Sequence, residues 1–214
     1  YRDVLQGRGN DRPLADARLD LPTLQTWHDA LGAWKVQGVT NARAFDGVFD
    51  FSQTVFEALR QVAAVGRAAF SLFDGKYSVV RDRKSSDLTV VQHFSPRNSW
   101  DYRGERAFVE LPHALKVRFI NPDTQWQQDE QIVYDDGFTV ATATKFEVLE
   151  LLGITDKNHA WQEGRFHLAV LRLRPEIHEL NVDVENLVCT RGDLVRVTHD
   201  VPQWGLGWAR VTAV

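Results

Sequence analysis

Hydrophobic residues recur at spacings of three and four between Asp20 and Gly38, where Leu24, Trp27, Leu31 and Trp34 share one side. That period predicts an amphipathic helix with Pro22 in its first turn. The first twenty residues are polar and interrupted by Gly7, Gly9 and Pro13, so 1–20 are expected as an extended arm or linker. AFDGVFDF, 44–51, alternates toward a strand, and Ser52 after it is placed to cap a helix. The inner face of that helix would be Val55, Phe56, Leu59, Val62 and Ala63, with Gly66 as its stop and a staple between Phe51 and Phe56. In FSLFDGKYSVV, Asp74-Gly75 marks a two-residue hairpin that would set Leu72 against Tyr77 and Phe70 against Val79.

After a charged loop at 81–87, apolar alternation predicts strands at 88–94, 114–121 and 130–136. Asp156 is placed to cap a helix with Ala160, Trp161, Gly164, Leu168 and Leu171 on one face, Arg172 and Arg174 at its C-terminal end and Pro175 as its stop. IHELNVDVEN, DLVRVTHD and GWARVTAV return to a period of two. The expected class is therefore α+β: an arm at 1–20, a small α+β domain at 21–95, and a β-rich, barrel-like domain at 96–214 with one helix near 156–174.

Composition narrows the functional classes. With 43% hydrophobic residues in a chain of 214, a sizeable core is within reach. A formal charge of −4 provides no positive field for gripping nucleic acid. No apolar run approaches the roughly 20 residues of a membrane span. The single cysteine, Cys189, excludes an internal disulfide, and the absence of methionine, even at position 1, marks the chain as an expected fragment of a longer polypeptide.

Candidate chemistry is sparse. His159 and His167, eight apart on the predicted helix, have no carboxylate placed to complete a zinc site, and the other histidines form no pair at helical spacing. Asp183 with Glu185, and Asp135 with Asp136, read as a solvated strand face and a turn. No nucleophile elbow, phosphate loop or zincin motif occurs, so no catalytic, metal or cofactor residue is assigned. Arg191-Gly192-Asp193 is the tripeptide that many extracellular proteins present to integrins, yet here it falls where Gly192 suits a tight reversal between strands. Trp100, Trp126, Trp204 and Trp208 fall in stretches that read as loops, and loop aromatics anchor interfaces, stack on sugars or wedge under loops. These four are the interface candidates.

Several blocks carry a family resemblance. NLVCTRGDLVRVTHDVPQWGLG at 186–207, preceded by LAVLRLRPEIHELNVDVE, resembles the hub region of bacteriophage tail tip attachment proteins, the host-specificity or J-type family. VLQGRGN at 4–10, FDFSQTVFEALRQVAAVGRA at 49–68 with its DGKYSVVRD hairpin, and HALKVRFINPDTQWQQDEQIVYDDGF at 113–138 agree with it in the same order. The resemblance implies a non-enzymatic virion protein: a homotrimeric ring of β-barrel hub domains, each with a small α+β insertion, at the distal end of the tail tube. Its partners would be its own copies and other tail tip and tail tube proteins, with DNA passing through unspecifically. Its place would be the virion tail tip, after assembly in the bacterial host cytoplasm, and the receptor-contacting tip would follow the hub in sequence. A carbohydrate- or receptor-binding module built on the four tryptophans is the alternative.

Overall fold

The computed structural model describes residues 1–33, 44–50, 52–106, 110–201 and 203–214, without the side chains of Ser85, Trp204 and Leu206. The expectations for Trp34, Gly38 and Phe51 lie outside the described residues. In chain order the elements are α1 (Arg2–Gln6), α2 (Leu21–Ala33), α3 (Val55–Val65), β1 (Ala68–Phe73), β2 (Lys76–Arg81), β3 (Val90–Phe94), β4 (Trp100–Arg106), β5 (Ala114–Asn121), β6 (Gln127–Tyr134), β7 (Phe146–Glu150), α4 (Lys157–Leu173), β8 (Glu176–Asn181), β9 (Leu194–His199) and β10 (Trp204–Arg210). The class is α+β, and none of the described sheets closes into a barrel. Contacts divide the chain into two units, each made of two separated stretches: Tyr1–Arg81 with Glu110–Leu173, and Asp82–Val109 with Arg174–Val214.

In the first unit, β5 is the central strand of a sheet ordered β6-β5-β7, antiparallel to β6 and parallel to β7. Alternation along β5 sends Leu115, Val117 and Phe119 to one face, where they pack with Val133, Ile154, Ala160 and Leu168. Helix α4 covers that face and Gly164 makes the approach possible, because a Cβ there would lie 2.8 Å from the Val133 side chain and 2.9 Å from that of Val117. Asp156 caps α4 as expected, its Oδ1 accepting from the backbone N–H groups of Asn158 and His159. Trp161 and Leu171, expected on the inner face, are instead exposed. The opposite face of the sheet is polar in part: Arg118 pairs with Glu130 at 3.5 Å and with Glu150 at 3.3 Å.

The β1–β2 hairpin forms in the expected register, Leu72 opposite Tyr77 and Phe70 opposite Val79, with Asp74 and Gly75 both at positive φ. Helix α3 packs on it through Leu59, Val62 and Ala63, while Phe56 and Val55 stay half exposed. The N-cap of α3 is Thr54, not Ser52: Thr54 Oγ1 accepts from Glu57 N–H, and the Glu57 carboxylate accepts from Thr54 N–H. Glu57, three residues on from Thr54, is what the reciprocal cap requires. Residues 44–50 form no strand; Phe45 packs against the sheet core and stacks on Phe49. Nor are residues 1–20 an extended arm. The short helix α1 buries Leu5 beside Leu19 and Leu59, because Leu5, Leu14 and Leu19 supply an apolar set among the polar residues. Trp27 of α2 is buried and donates from Nε1 to the Gly66 carbonyl at 3.1 Å.

The second unit has a sheet ordered β10-β9-β3, with β9 antiparallel to β10 and parallel to β3, and a two-stranded antiparallel sheet of β4 and β8. Its core is small: Phe94, Cys189, Val195 and Val197, flanked by Leu180, Val182, Ala209 and Val211. Strand β4 occupies a stretch expected as a loop, and β7 in the first unit is likewise an added strand. The turn at Arg191-Gly192-Asp193 is present, with Gly192 at φ 93° and Asp193 Oδ2 accepting from both Thr190 N–H and Thr190 Oγ1. What precedes it is a 3-10 turn at Val184–Asn186 and irregular backbone, not a strand.

Candidate interface

Burial and pairing account for most of the titratable groups. In the first unit, Glu163 is buried and its two carboxylate oxygens each accept from Arg67 Nε at 3.1 Å. Arg67 also stacks over the Phe166 ring at 4.0 Å, and His159 Nε2 lies 3.6 Å from Glu163. Such a buried pair holds its place only because both charges are matched. His167 lies near the same charges, and desolvation pushes its pKa below the ordinary histidine value. Asp135 and Asp136, read from the sequence as a turn, are paired with Arg165 and Arg172. An open depression of about 1010 Å³ in this unit is lined mainly by apolar side chains, including Leu24, Trp27, Leu31 and Phe49.

In the second unit, Asp82 receives Arg174 at 2.9 Å and also pairs with Arg210. Burial alone would raise its carboxyl, but hydrogen bonds and charge from the two guanidinium groups outweigh it and hold the pKa below the usual aspartate value. The charged loop at 81–87 thus supplies a structural anchor. Tyr102 stacks on His199, with centroids 4.2 Å apart, and its hydroxyl lies 2.8 Å from His178 Nδ1. Gly104 leaves room for this group, since a Cβ there would sit 2.9 Å from the Tyr102 hydroxyl. Burial pushes the Cys189 thiol up, away from the reactive thiolate. No group of three or more His, Cys, Asp or Glu that could hold a metal occurs among the described residues.

Of the four tryptophans expected in loops, only Trp126 lies outside a strand. Trp126 is 65% exposed in a left-handed turn at the start of β6. Trp100 begins β4 and Trp208 lies on β10, and both are at least half exposed. Trp204 is also on β10, and its side chain lies outside what is described. Trp126 belongs to the first unit, Trp100 to the β4–β8 sheet of the second, and Trp204 and Trp208 to its three-stranded sheet. Other large apolar side chains of the second unit share this exposure, among them Ile177, Val184, Val188 and Val201. Among the described residues, strands β3 and β10 form the outer edges of the three-stranded sheet, and β4 and β8 pair only with each other. Open strand edges beside exposed apolar side chains suit contact between chains better than chemistry on a small molecule.

No family model matches the chain, and no curated protein matches it. Among solved structures it is similar to the tail protein from Neisseria meningitidis MC58, with a TM-score of 0.53 and 15% identity over 75% of this chain and 50% of that one. It is also similar to the 43 kDa tail protein of prophage MuSo2 from Shewanella oneidensis, with a TM-score of 0.47 and 14% identity over 72% of this chain and 45% of that one. The chain therefore spans about half the length of the Neisseria protein, and the likeness between them is one of fold.

Proposed function

We propose that this chain is a non-enzymatic structural component of a bacteriophage tail or tail-like particle. Within it, the chain belongs to the hub region of the host-specificity protein at the tail tip, assembled in the bacterial host cytoplasm. Three copies form a ring that joins the tail tube to the receptor-binding tip and surrounds the DNA exit path. Its partners are its own copies and the neighbouring tail tip and tail tube proteins.

The observation that carries this reading is the second unit, in which the two-stranded sheet of β4 and β8 displays Trp100 and Ile177 to solvent, and the irregular backbone after it Val188. An interface between subunits buries such edges and aromatics, and a ring repeats one heterologous contact until it closes. The resemblance in sequence to phage hub regions and the fold likeness to the Neisseria tail protein support it. The net charge of −4 suits a wall that passes DNA without holding its phosphates. Cryo-electron microscopy of the parent particle tests the proposal. It should place three copies around the tail axis at the tip, and a peripheral position or a different copy number would overturn the ring.

A further inference from the structure

Across the outer face of the β10-β9-β3 sheet, one row reads Trp208, Arg196, His93, because Arg196 is in register with Trp208 on one side and His93 on the other. The neighbouring positions Val195 and Val197 point into the core, as strand alternation requires. The Arg196 guanidinium carbon lies 4.3 Å from the Trp208 ring centroid. Its Nε is shut off from solvent without a hydrogen-bond partner, and Arg196 has no ion pair among the described residues. Arg103, Arg106, Arg174 and Arg210 of the same unit each meet a carboxylate. Trp208 keeps 57% of its surface in solvent.

His93 adds an acceptor. Thr198 Oγ1 donates to the Gly205 carbonyl at 2.9 Å, so the 2.8 Å contact between Thr198 Oγ1 and His93 Nε2 must take its proton from the imidazole. In the neutral ring this leaves Nδ1 as an acceptor, without a partner among the described residues, on an exposed side chain. One row thus presents an apolar ring, an uncompensated cation and a hydrogen-bond acceptor over roughly 9–10 Å, two strand spacings.

We infer that this row is a binding site for an acidic saccharide. A pyranose ring lies on the face of the Trp208 indole that Arg196 does not cover, the carboxylate of the next sugar in the chain is taken by the Arg196 guanidinium, and a hydroxyl of that sugar donates to His93 Nδ1. The acceptor distinguishes a sugar from a bare anion, which has no proton to give. A polynucleotide is disfavoured because acidic and basic residues nearly balance in this unit and the row holds one cation, too few to retain a phosphate chain at physiological salt. The site does not depend on the ring proposed above.

The test uses the whole chain and follows the indole N–H resonance of Trp208 by NMR, assigned by its loss in Trp208→Phe. Titration with oligogalacturonate should shift that resonance saturably, and maltotetraose, an uncharged oligosaccharide, should bind at least about tenfold more weakly, as the loss of one charge-assisted contact implies. Arg196→Gln should weaken oligogalacturonate by a similar factor while the rest of the spectrum keeps its dispersion. Equal binding of the two oligosaccharides, an unaltered affinity in Arg196→Gln, or no shift at millimolar oligogalacturonate overturns the site. Binding of oligothymidylate in place of oligogalacturonate also overturns it, in favour of nucleic acid.

Discussion

The first unit closes Leu115, Val117, Phe119, Val133 and Ile154 between a sheet and helix α4, whereas the second leaves Trp100, Ile177, Val188 and Trp208 in solvent around a four-residue core. The contrast has a physical source. In the first unit a helix lies on the sheet, and one strand face plus one helix face exclude water on both sides. The second unit contains no α-helix among its described residues, so no helix of its own lies on either of its sheets. The lesson is that the first unit closes a core between its own elements, while the second leaves apolar side chains and strand edges exposed, the feature on which the proposed contact with other chains rests.

The largest effect belongs to the buried pair of the first unit. Glu163→Ala leaves Arg67 without its carboxylate and should cost about 3–5 kcal/mol in chemical unfolding. A loss near zero would mean the pair is solvated. One step smaller is a test within a single helix: Leu59→Ala should cost about 2–5 kcal/mol because Leu59 is fully buried on α3. Phe56→Ala, three residues earlier, should cost clearly less because that ring is 49% exposed. Equal effects would contradict the described inner face.

In the second unit, Gly192→Val forces a β-branched residue to φ 93° and should cost about 1–3 kcal/mol. Acid should then separate the units. His167 has a lowered folded pKa, so the unfolded state takes up its proton first, and the first unit loses stability as pH falls below about 6.5. Asp82 is lowered too, but from the carboxylate range, so its contribution to the second unit is full at neutral pH and fades only as pH falls below about 4. Residue-resolved hydrogen exchange between pH 7 and 3 checks this ordering, and Asp82→Asn should reduce the acid sensitivity of the second unit below about pH 4. The smallest change in the isolated chain is Trp100→Ala, expected within about 0.5 kcal/mol of neutral, yet it should impair incorporation into particles if Trp100 meets a neighbour.

How much of this was legible in the sequence follows the same division. Local signals carried the first unit well: the Asp74-Gly75 hairpin, the alternation of β5 and the Asp156 cap each appear where their residues put them. Where two local signals competed, the stronger chemistry won. Thr54 has Glu57 three residues on and Ser52 has Val55 there, so only Thr54 can make the reciprocal cap. Strand β4 was hidden because both of its faces are polar or exposed, leaving no period to read. The pairing of Tyr1–Arg81 with Glu110–Leu173 is a long-range association, and nothing local encodes it. The loop reading of Trp100, Trp204 and Trp208 missed strands β4 and β10, and the strand register that puts Arg196 between Trp208 and His93 has no local signal.

The most direct test of the central claim, that the second unit is completed by contact with other chains, is hydrogen exchange of this chain alone and within the parent particle. Amides of β5, β6 and α4 should be equally slow in both settings, while those of β3, β4, β8 and β10 should exchange fast in the free chain and be protected in the particle. A second unit as protected as the first in isolation, or unchanged by assembly, would contradict the account.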